Sequence, residues 1–326
     1  MADNFRQIYE EQKLIIDEKL TRALDGRLPL SLYKPVDYIL VSPAKRLRPI
    51  LVLFSAAATG GKFENVYNAA LAVEMLHNFT LIHDDIMDNA DTRRGLETLH
   101  KIYDVNTAIL AGDALMAVAY EYLLKDVKKE HLSVPYLFTR GLIEVCEGQS
   151  LDKDFELRDT VTIDEYLEMI SKKTAALSRT CCSIGGVLGN GTEKEIEALT
   201  EFGMKLGLAF QIQDDLLDIS GSEEFGKKIG GDLLEGKKTF LFIKALERAE
   251  GEDKEEFLRV VKNKGCREDE IGKFRDLYEK LGVLTEARDE VGKISSEAID
   301  SLRHLSNREY AGYLGDLANA LIKRSK

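Results

Sequence analysis

The 326-residue sequence predicts an all-α fold in one domain. Three observations carry this prediction. Apolar residues recur at helical spacing along most of the chain, residues that start and stop helices punctuate those runs, and no period-2 stretch of any length interrupts them. No Pro/Ser-rich linker divides the chain, so residues 1–326 read as a single domain able to bury a sizeable core.

The elements follow in order. Residues 4–24 space Phe5, Ile8, Leu14, Ile15, Leu20 and Leu24 as an amphipathic helix, which Gly26 and Pro29 end. Pro49 suits the first position of the next helix, which runs through ILVLFSAAA to Gly60-Gly61. Lys45, Arg46 and Arg48 crowd its N-terminus, where unpaired N–H groups and the helix dipole already favour an anion. The run from Val66 to Met87 is apolar on nearly every side, the pattern of a buried helix. Apolar helices are expected at about 107–125, with Asp113 as an acid in a buried setting, and at about 134–148, ending in EGQSLD. Thr162-Ile163-Asp164-Glu165 is a capping box and opens a helix that carries Lys172, Lys173 and Thr174 and stops between Gly185 and Gly191. Thr192-Glu193-Lys194-Glu195 is a second box, opening a long helix with Phe202, Leu206 and Phe210 that Gly221 closes. After residue 240 the chain is helical and heavily charged, with apolar stripes at Phe240–Leu246, Phe257–Val261, Ile271–Leu281 and Tyr310–Ile322 and no visible chemistry.

Composition narrows the function. Hydrophobic content of 44% and charge of 31% are those of a soluble globular protein. A net charge of −12 argues against nucleic acid and anionic membranes as partners. Apolar runs near ten residues predict no transmembrane segment, and the polar start MADNFRQIYEEQK predicts a cytoplasmic protein. Cys146, Cys181, Cys182 and Cys266 have neither disulfide-framework nor zinc spacing and read as reduced thiols.

The chemistry is carried by acids inside apolar helices. Asp84, Asp85 and Asp88 form DDxxD near the end of the Val66–Met87 run, with Asp84 and Asp88 one turn apart on one face. Burying them unpaired would cost several kcal/mol, and no Lys or Arg lies within a turn on that helix. A hard divalent ion completed by water and phosphate oxygens resolves the conflict, which is how Mg²⁺ is usually held. Arg93, Arg94 and Gly95 follow, and arginine suits phosphate oxygens. Asp214, Asp215 and Asp218 repeat the pattern, again flanked by Leu, Ile and Phe. The segment Gly231–Lys237 fits the GxxxxGK start of a nucleotide-binding P-loop, but Lys238 stands where Ser or Thr is required and no strand precedes it, so the P-loop is rejected. Carboxylate, Mg²⁺ and phosphate bridging uses the whole inventory, and apolar walls around it imply a greasy substrate able to ionise away from water. There is no Ser/His/Asp set, no metal-type His spacing and no nucleophilic Cys setting.

The segments LIHDDIMDNADTRRG, FQIQDDLLD and GKKIGGDLLEGKKT, with AKRLRP, EGQSLD and KKT, make the chain resemble the trans-isoprenyl (polyprenyl) diphosphate synthases. The resemblance spans residues 44–239, and one departure from it is Ala44, where the family often has Gly before Lys-Arg. It implies an isoprenoid-synthase-type helical bundle around a central cavity, usually homodimeric. It implies that Asp84 and Asp88 bind two Mg²⁺ and Asp214 a third, with Asp85, Asp215 and Asp218 in support. Arg93, Lys173, Lys228 and Lys237 would hold the allylic diphosphate, and Lys45, Arg48, His77 and Arg94 the isopentenyl diphosphate. Thr174 and Gln211 would lie near the allylic carbon and stabilise the cation, with Gln149 and Asp152 close by.

The growing product would run from Asp84 back along its helix. Strict helix geometry puts Thr80 and Leu76 below Asp84, whereas Phe79 is about 140° round. The resemblance instead makes the fifth position before the first Asp a length gate. Phe79 there, with small Thr80 beside it, resembles synthases that stop at geranylgeranyl diphosphate (C20). Farnesyl or longer polyprenyl products are the alternatives. A terpene cyclase would have no use for the second basic set, and a non-catalytic synthase subunit would be expected to have lost an acidic motif.

Overall fold

The computed structural model describes residues 2–220 and 229–322. Helix α1 (Ala2–Thr21) starts the chain as expected. Helix α2 (Leu30–Leu40) is absent from the sequence reading, because Pro29 precedes it and Pro35 lies inside it, and such a pair reads as a break. Tertiary burial overrides the propensity: Val36 and Leu40 are fully buried. Helix α3 (Leu47–Ala58) begins two residues earlier than Pro49, after Arg46 at φ 50°. Helix α4 (Tyr67–Met87) is buried without a break from Ala69 to Leu76. A two-residue hairpin follows, β1 (Thr92–Arg93) paired antiparallel with β2 (Leu96–Glu97). No period-2 signal can register in strands that short.

Helix α5 (Leu99–Ile102) leads to α6 (Val105–Asp126), which Asp104 caps by accepting from the Thr107 N–H at 2.8 Å. By length and composition α6 could cross a membrane, contrary to the expectation from shorter apolar runs. Here it packs on α4 and α2 through Ala108, Ala111, Leu115, Ala119 and Leu123. Asp113 corrects another expectation: its side chain is 57% exposed, 3.8 Å from His83 Nε2. Helix α7 (Ser133–Leu157) runs well past the expected end at 148, so EGQSLD lies inside it. Helix α8 (Ile163–Ile170) opens on the Thr162/Glu165 capping box, passes through a π-helical turn (Ser171–Ala175) and continues as α9 (Ala176–Leu188). Helix α10 (Glu193–Ser220) carries the second acidic motif, and its expected terminator Gly221 lies outside the described residues. Then come α11 (Gly231–Leu234), α12 (Phe240–Arg248), α13 (Gly251–Asn263), α14 (Ile271–Lys280), α15 (Val283–Ser301) and α16 (Arg308–Ile322).

The chain clusters into two compact units. The first comprises Met1–Leu142, Thr180–Thr200 and His304–Asp316; the second Ile143–Arg179, Glu201–Arg303 and Leu317–Lys326. The first is cored by α3 and α4, with Ile50 to Phe54 fully buried. In the second, Phe257 packs between Phe242, Phe274 and Tyr278.

The second predicted capping box also forms. Glu195 accepts from the Thr192 N–H at 2.9 Å and from the Ser306 N–H at 3.0 Å. Burial alone would raise its pKa, yet these donors pull it down to about 2. A depressed carboxylate contributes stability above its unfolded pKa, and that contribution is lost as pH falls through the folded value. Glu195→Gln should therefore lower stability at neutral pH and flatten the loss between about pH 4.5 and pH 2. Urea titrations across that window check it; an unchanged acid limb would refute it.

Candidate active site

In the first unit the acidic motif closes α4. Asp84 is half-buried, Asp85 is 2% exposed, and Asp88 is the exposed C-cap residue. Their own helix offers these acids no Lys or Arg within a turn. The hairpin supplies one: Arg93 Nε donates to Asp85 Oδ1 at 2.6 Å. Burial raises the Asp85 pKa, and Arg93 opposes that shift. The hairpin turn is Arg94-Gly95, with φ of 55° and 78°. Positive φ at both central residues is the type I′ geometry that suits the strand twist. Holding a non-glycine residue there stores strain of the kind found at functional sites.

The basic cluster before α3 divides. Lys45 is exposed, and its carbonyl accepts from the Tyr9 hydroxyl. Arg46 turns inward to Asp17 and Glu74, so it is no anion ligand. Arg48 is half-buried, and its Nε is buried without a hydrogen-bond partner among the described residues. His77 is held well below the ordinary imidazole pKa, first by burial and then by Arg48, Arg94, Arg93 and Arg46. Arg48, His77 and Arg94 thus form one electrostatic cluster, with a buried donor that an anion would satisfy. Leu76 is fully buried, Phe79 is 8% exposed with its ring 4.6 Å from that of His83, and half-buried Thr80 donates to the His77 carbonyl at 2.8 Å.

In the second unit a cavity of about 90 Å³ gathers Asp152, Tyr166, Lys173, Thr174, Gln211, Asp215, Asp232 and Lys237. The π turn places Lys173 and Thr174 there. It lies between two glycines: a Cβ on Gly148 of α7 would sit 2.2 Å from Lys173 N, and one on Gly207 of α10 would sit 2.4 Å from Ala175 Cα. Only residues without a side chain allow that approach. π-helical turns inside α-helices are frequent at functional sites. Lys173 pairs with Asp152. Thr174 Oγ1 donates to Gln211 Oε1 at 2.8 Å, and Gln211 Nε2 donates to Asp215 Oδ1 at 3.0 Å. Asp215 Oδ2 accepts from the Tyr166 hydroxyl at 2.6 Å and the Phe240 N–H at 3.1 Å. Burial, then Asp232, pushes Asp215 up to about 7 against those donors. Asp214 is exposed, and Asp218 accepts from the Asp232 N–H at 3.1 Å. Lys237 lies 2.7 Å from Glu235 and 3.5 Å from Asp232. Burial opposes its charge, but these acids raise its pKa overall. Gln149 is half-buried, and both of its amide atoms lack a partner among the described residues. Lys228 lies outside the described residues.

In both motifs, therefore, the second aspartate is the buried one, held by protein donors, and its neighbours are the more exposed carboxylates. Among the described residues no three His, Cys, Asp or Glu side chains gather into a cage for a metal. Such a donor set suits a hard cation that takes one or two carboxylates and completes its shell with water and ligand phosphate, as Mg²⁺ does. Sequence reasoning missed Tyr166, Asp232 and the pairing of Glu74. A lone Tyr in an amphipathic helix, an Asp in a Gly/Lys loop and a Glu in an apolar run carry no signal until the fold assembles them.

Residues 29–281 match the sequence family described as polyprenyl synthetase. The chain belongs to that family. Similar polyprenyl synthetases include the geranylgeranyl pyrophosphate synthase of Geoglobus acetivorans, 40% identical over 98% of both chains. The geranylfarnesyl diphosphate synthase of Natronomonas pharaonis is 36% identical over 99% of both. The crystal structure of the geranylgeranyl pyrophosphate synthetase from Pyrococcus horikoshii OT3 superposes with a TM-score of 0.89 at 37% identity, covering 98% of each chain. The all-α fold is thus that of the prenyl synthases, and this polyprenyl synthetase is a trans-prenyltransferase acting on isoprenoid diphosphates.

Proposed function

We propose that the chain is a cytoplasmic, Mg²⁺-dependent synthase, one domain over residues 1–326, that condenses isopentenyl diphosphate with allylic diphosphates and stops at geranylgeranyl diphosphate. The observation that carries the two-substrate reading is the Arg48, His77 and Arg94 cluster with its unpartnered Arg48 Nε, a basic set that a single-substrate cyclase would not need. Lys45 completes it as the isopentenyl diphosphate site. Arg93, Lys173, Lys228 and Lys237 hold the allylic diphosphate. Asp84 and Asp88 ligate two Mg²⁺ and Asp214 a third, supported by Asp85, Asp215 and Asp218. Bound there, Mg²⁺ would neutralise the diphosphate and make it a better leaving group. The allylic C–O bond breaks, and its electron pair leaves with the diphosphate. Thr174 and Gln211 face the resulting cation, the isopentenyl double bond attacks it, and the departing diphosphate takes the proton lost.

The C20 product rests on the relatives named geranylgeranyl synthases and on Phe79 as the length gate, with Thr80 and Leu76 beside it. A dimer is supported by apolar side chains left open in the first unit: Leu110 of α6 is 60% exposed, and Leu132 and Tyr136 are 73% and 66% exposed.

Labelled isopentenyl diphosphate with an allylic primer, products read by length, tests the reading. Arg94→Ala should raise KM for isopentenyl diphosphate about tenfold and Lys237→Ala that for the allylic substrate, as each loses a charge-assisted bond. The same pattern in both would dissolve the division of pockets. Phe79→Ser should shift the main product beyond twenty carbons; an unchanged length, with lengthening in Leu76→Ala instead, would make plain helix geometry the rule.

A further inference from the structure

We propose that Tyr166 is a positioning residue that sets the direction of the Thr174 hydroxyl through Asp215 and Gln211. Each link in the chain has a defined donor and acceptor. Asp215 Oδ2 takes two donors, the Tyr166 hydroxyl and the Phe240 N–H, which fix the rotation of the carboxylate and aim Oδ1 at Gln211. A carboxylate there requires the NH₂ end of Gln211, so the Gln211 carbonyl must face the other way. That carbonyl accepts from Thr174, whose hydroxyl hydrogen is thereby committed at 2.8 Å. The Thr174 lone pairs are left for the cavity that all four residues line. An oxygen presented by its lone pairs attracts positive charge; one presented by its hydrogen repels it.

The backbone supports the same assignment. Tyr166 and Thr174 are eight residues apart, about 80° out of phase on a regular α-helix. The π turn between them absorbs about one residue and brings them within roughly 20°. Tyr166 is 2% exposed and edge-on to Phe240, and its hydroxyl hydrogen is committed to Asp215 Oδ2 at 2.6 Å, so its route to Thr174 runs through Asp215.

The inference rests on the proposed role of Thr174, and a double-mutant cycle separates the two. Tyr166→Phe keeps the ring and removes the hydroxyl. With Mg²⁺, farnesyl diphosphate and isopentenyl diphosphate, it should lower kcat about tenfold and leave both KM values within about twofold. Thr174→Val should lower kcat more, and adding Tyr166→Phe to it should cost no more than about twofold further. The same factor in both backgrounds overturns the inference alone. Wild-type kcat in Thr174→Val overturns the Thr174 role and the inference with it. Thermal melting of Tyr166→Phe should stay within about 4 °C of wild type; a fall of about 8 °C or more with proportional loss in both backgrounds would make Tyr166 a core brace instead.

Discussion

Replacing Asp84 or Asp214 by alanine should cut turnover by about 10³-fold or more while leaving the protein folded. Asp84 is half-buried at the end of α4, and Asp214 is exposed on α10, so neither holds a core together. Each is proposed to contribute a charge that matters only when metal and diphosphate assemble, and interactions of that kind appear in kcat rather than in stability. The motif's own second aspartates give the contrast. Asp85→Ala would leave the Arg93 guanidinium without its 2.6 Å partner, and Asp215→Ala would strand Tyr166, Gln211 and the Phe240 N–H. Those two should lose stability as well as rate, by about 1–3 kcal/mol each. Calorimetric titration with Mg²⁺ and a non-hydrolysable allylic diphosphate analogue supplies a readout apart from turnover. Near-normal turnover in Asp84→Ala or Asp214→Ala would remove the metal assignment.

Where hydrophobic period and capping chemistry agreed, the sequence was legible. The Thr162 and Thr192 boxes, the buried run of α4 and the boundaries of α6 are all local signals, and the structure contains them. What stayed hidden depends on tertiary context. Helix α2 survives Pro35 because its apolar face is buried. The π turn exists where Gly148 and Gly207 admit it from two other helices, far away in sequence. The same holds for the site. The DDxxD spacing points to the acids, but which aspartate turns inward is decided by the hairpin that brings Arg93 and by the helix that brings Tyr166. Basic residues are harder still: adjacent charges in AKRLRP look alike on paper, yet Arg46 points into the core and Arg48 offers its Nε unpaired.

Arg46 therefore carries the second large effect, on stability. Its guanidinium is 2% exposed, donating to Asp17 of α1 at 2.7 Å, to Glu74 of α4 at 2.8 Å, and to the Leu40 and Ser42 carbonyls at 2.8 and 3.0 Å. One side chain thus ties α1, the end of α2 and α4 together at the start of α3. Glu74 is itself 2% exposed, so removing the arginine leaves a buried carboxylate unpaired. Breaking a buried pair from one side costs about 3–5 kcal/mol, whereas replacing both partners by apolar groups is often far cheaper. Arg46→Met should accordingly lower the unfolding free energy by about 3–5 kcal/mol, and Arg46→Met with Glu74→Met should recover much of that loss. Denaturant titration measures both. A cost below about 1 kcal/mol for the single variant would show that water reaches Glu74 and that the tie is no buried ion pair. Because Lys45 and Arg48 flank Arg46, the single variant should also weaken isopentenyl diphosphate binding, and the double variant should restore stability without restoring that affinity. The reason is that apolar side chains can fill the space but cannot reproduce the four directed hydrogen bonds that fix the backbone between those two cations.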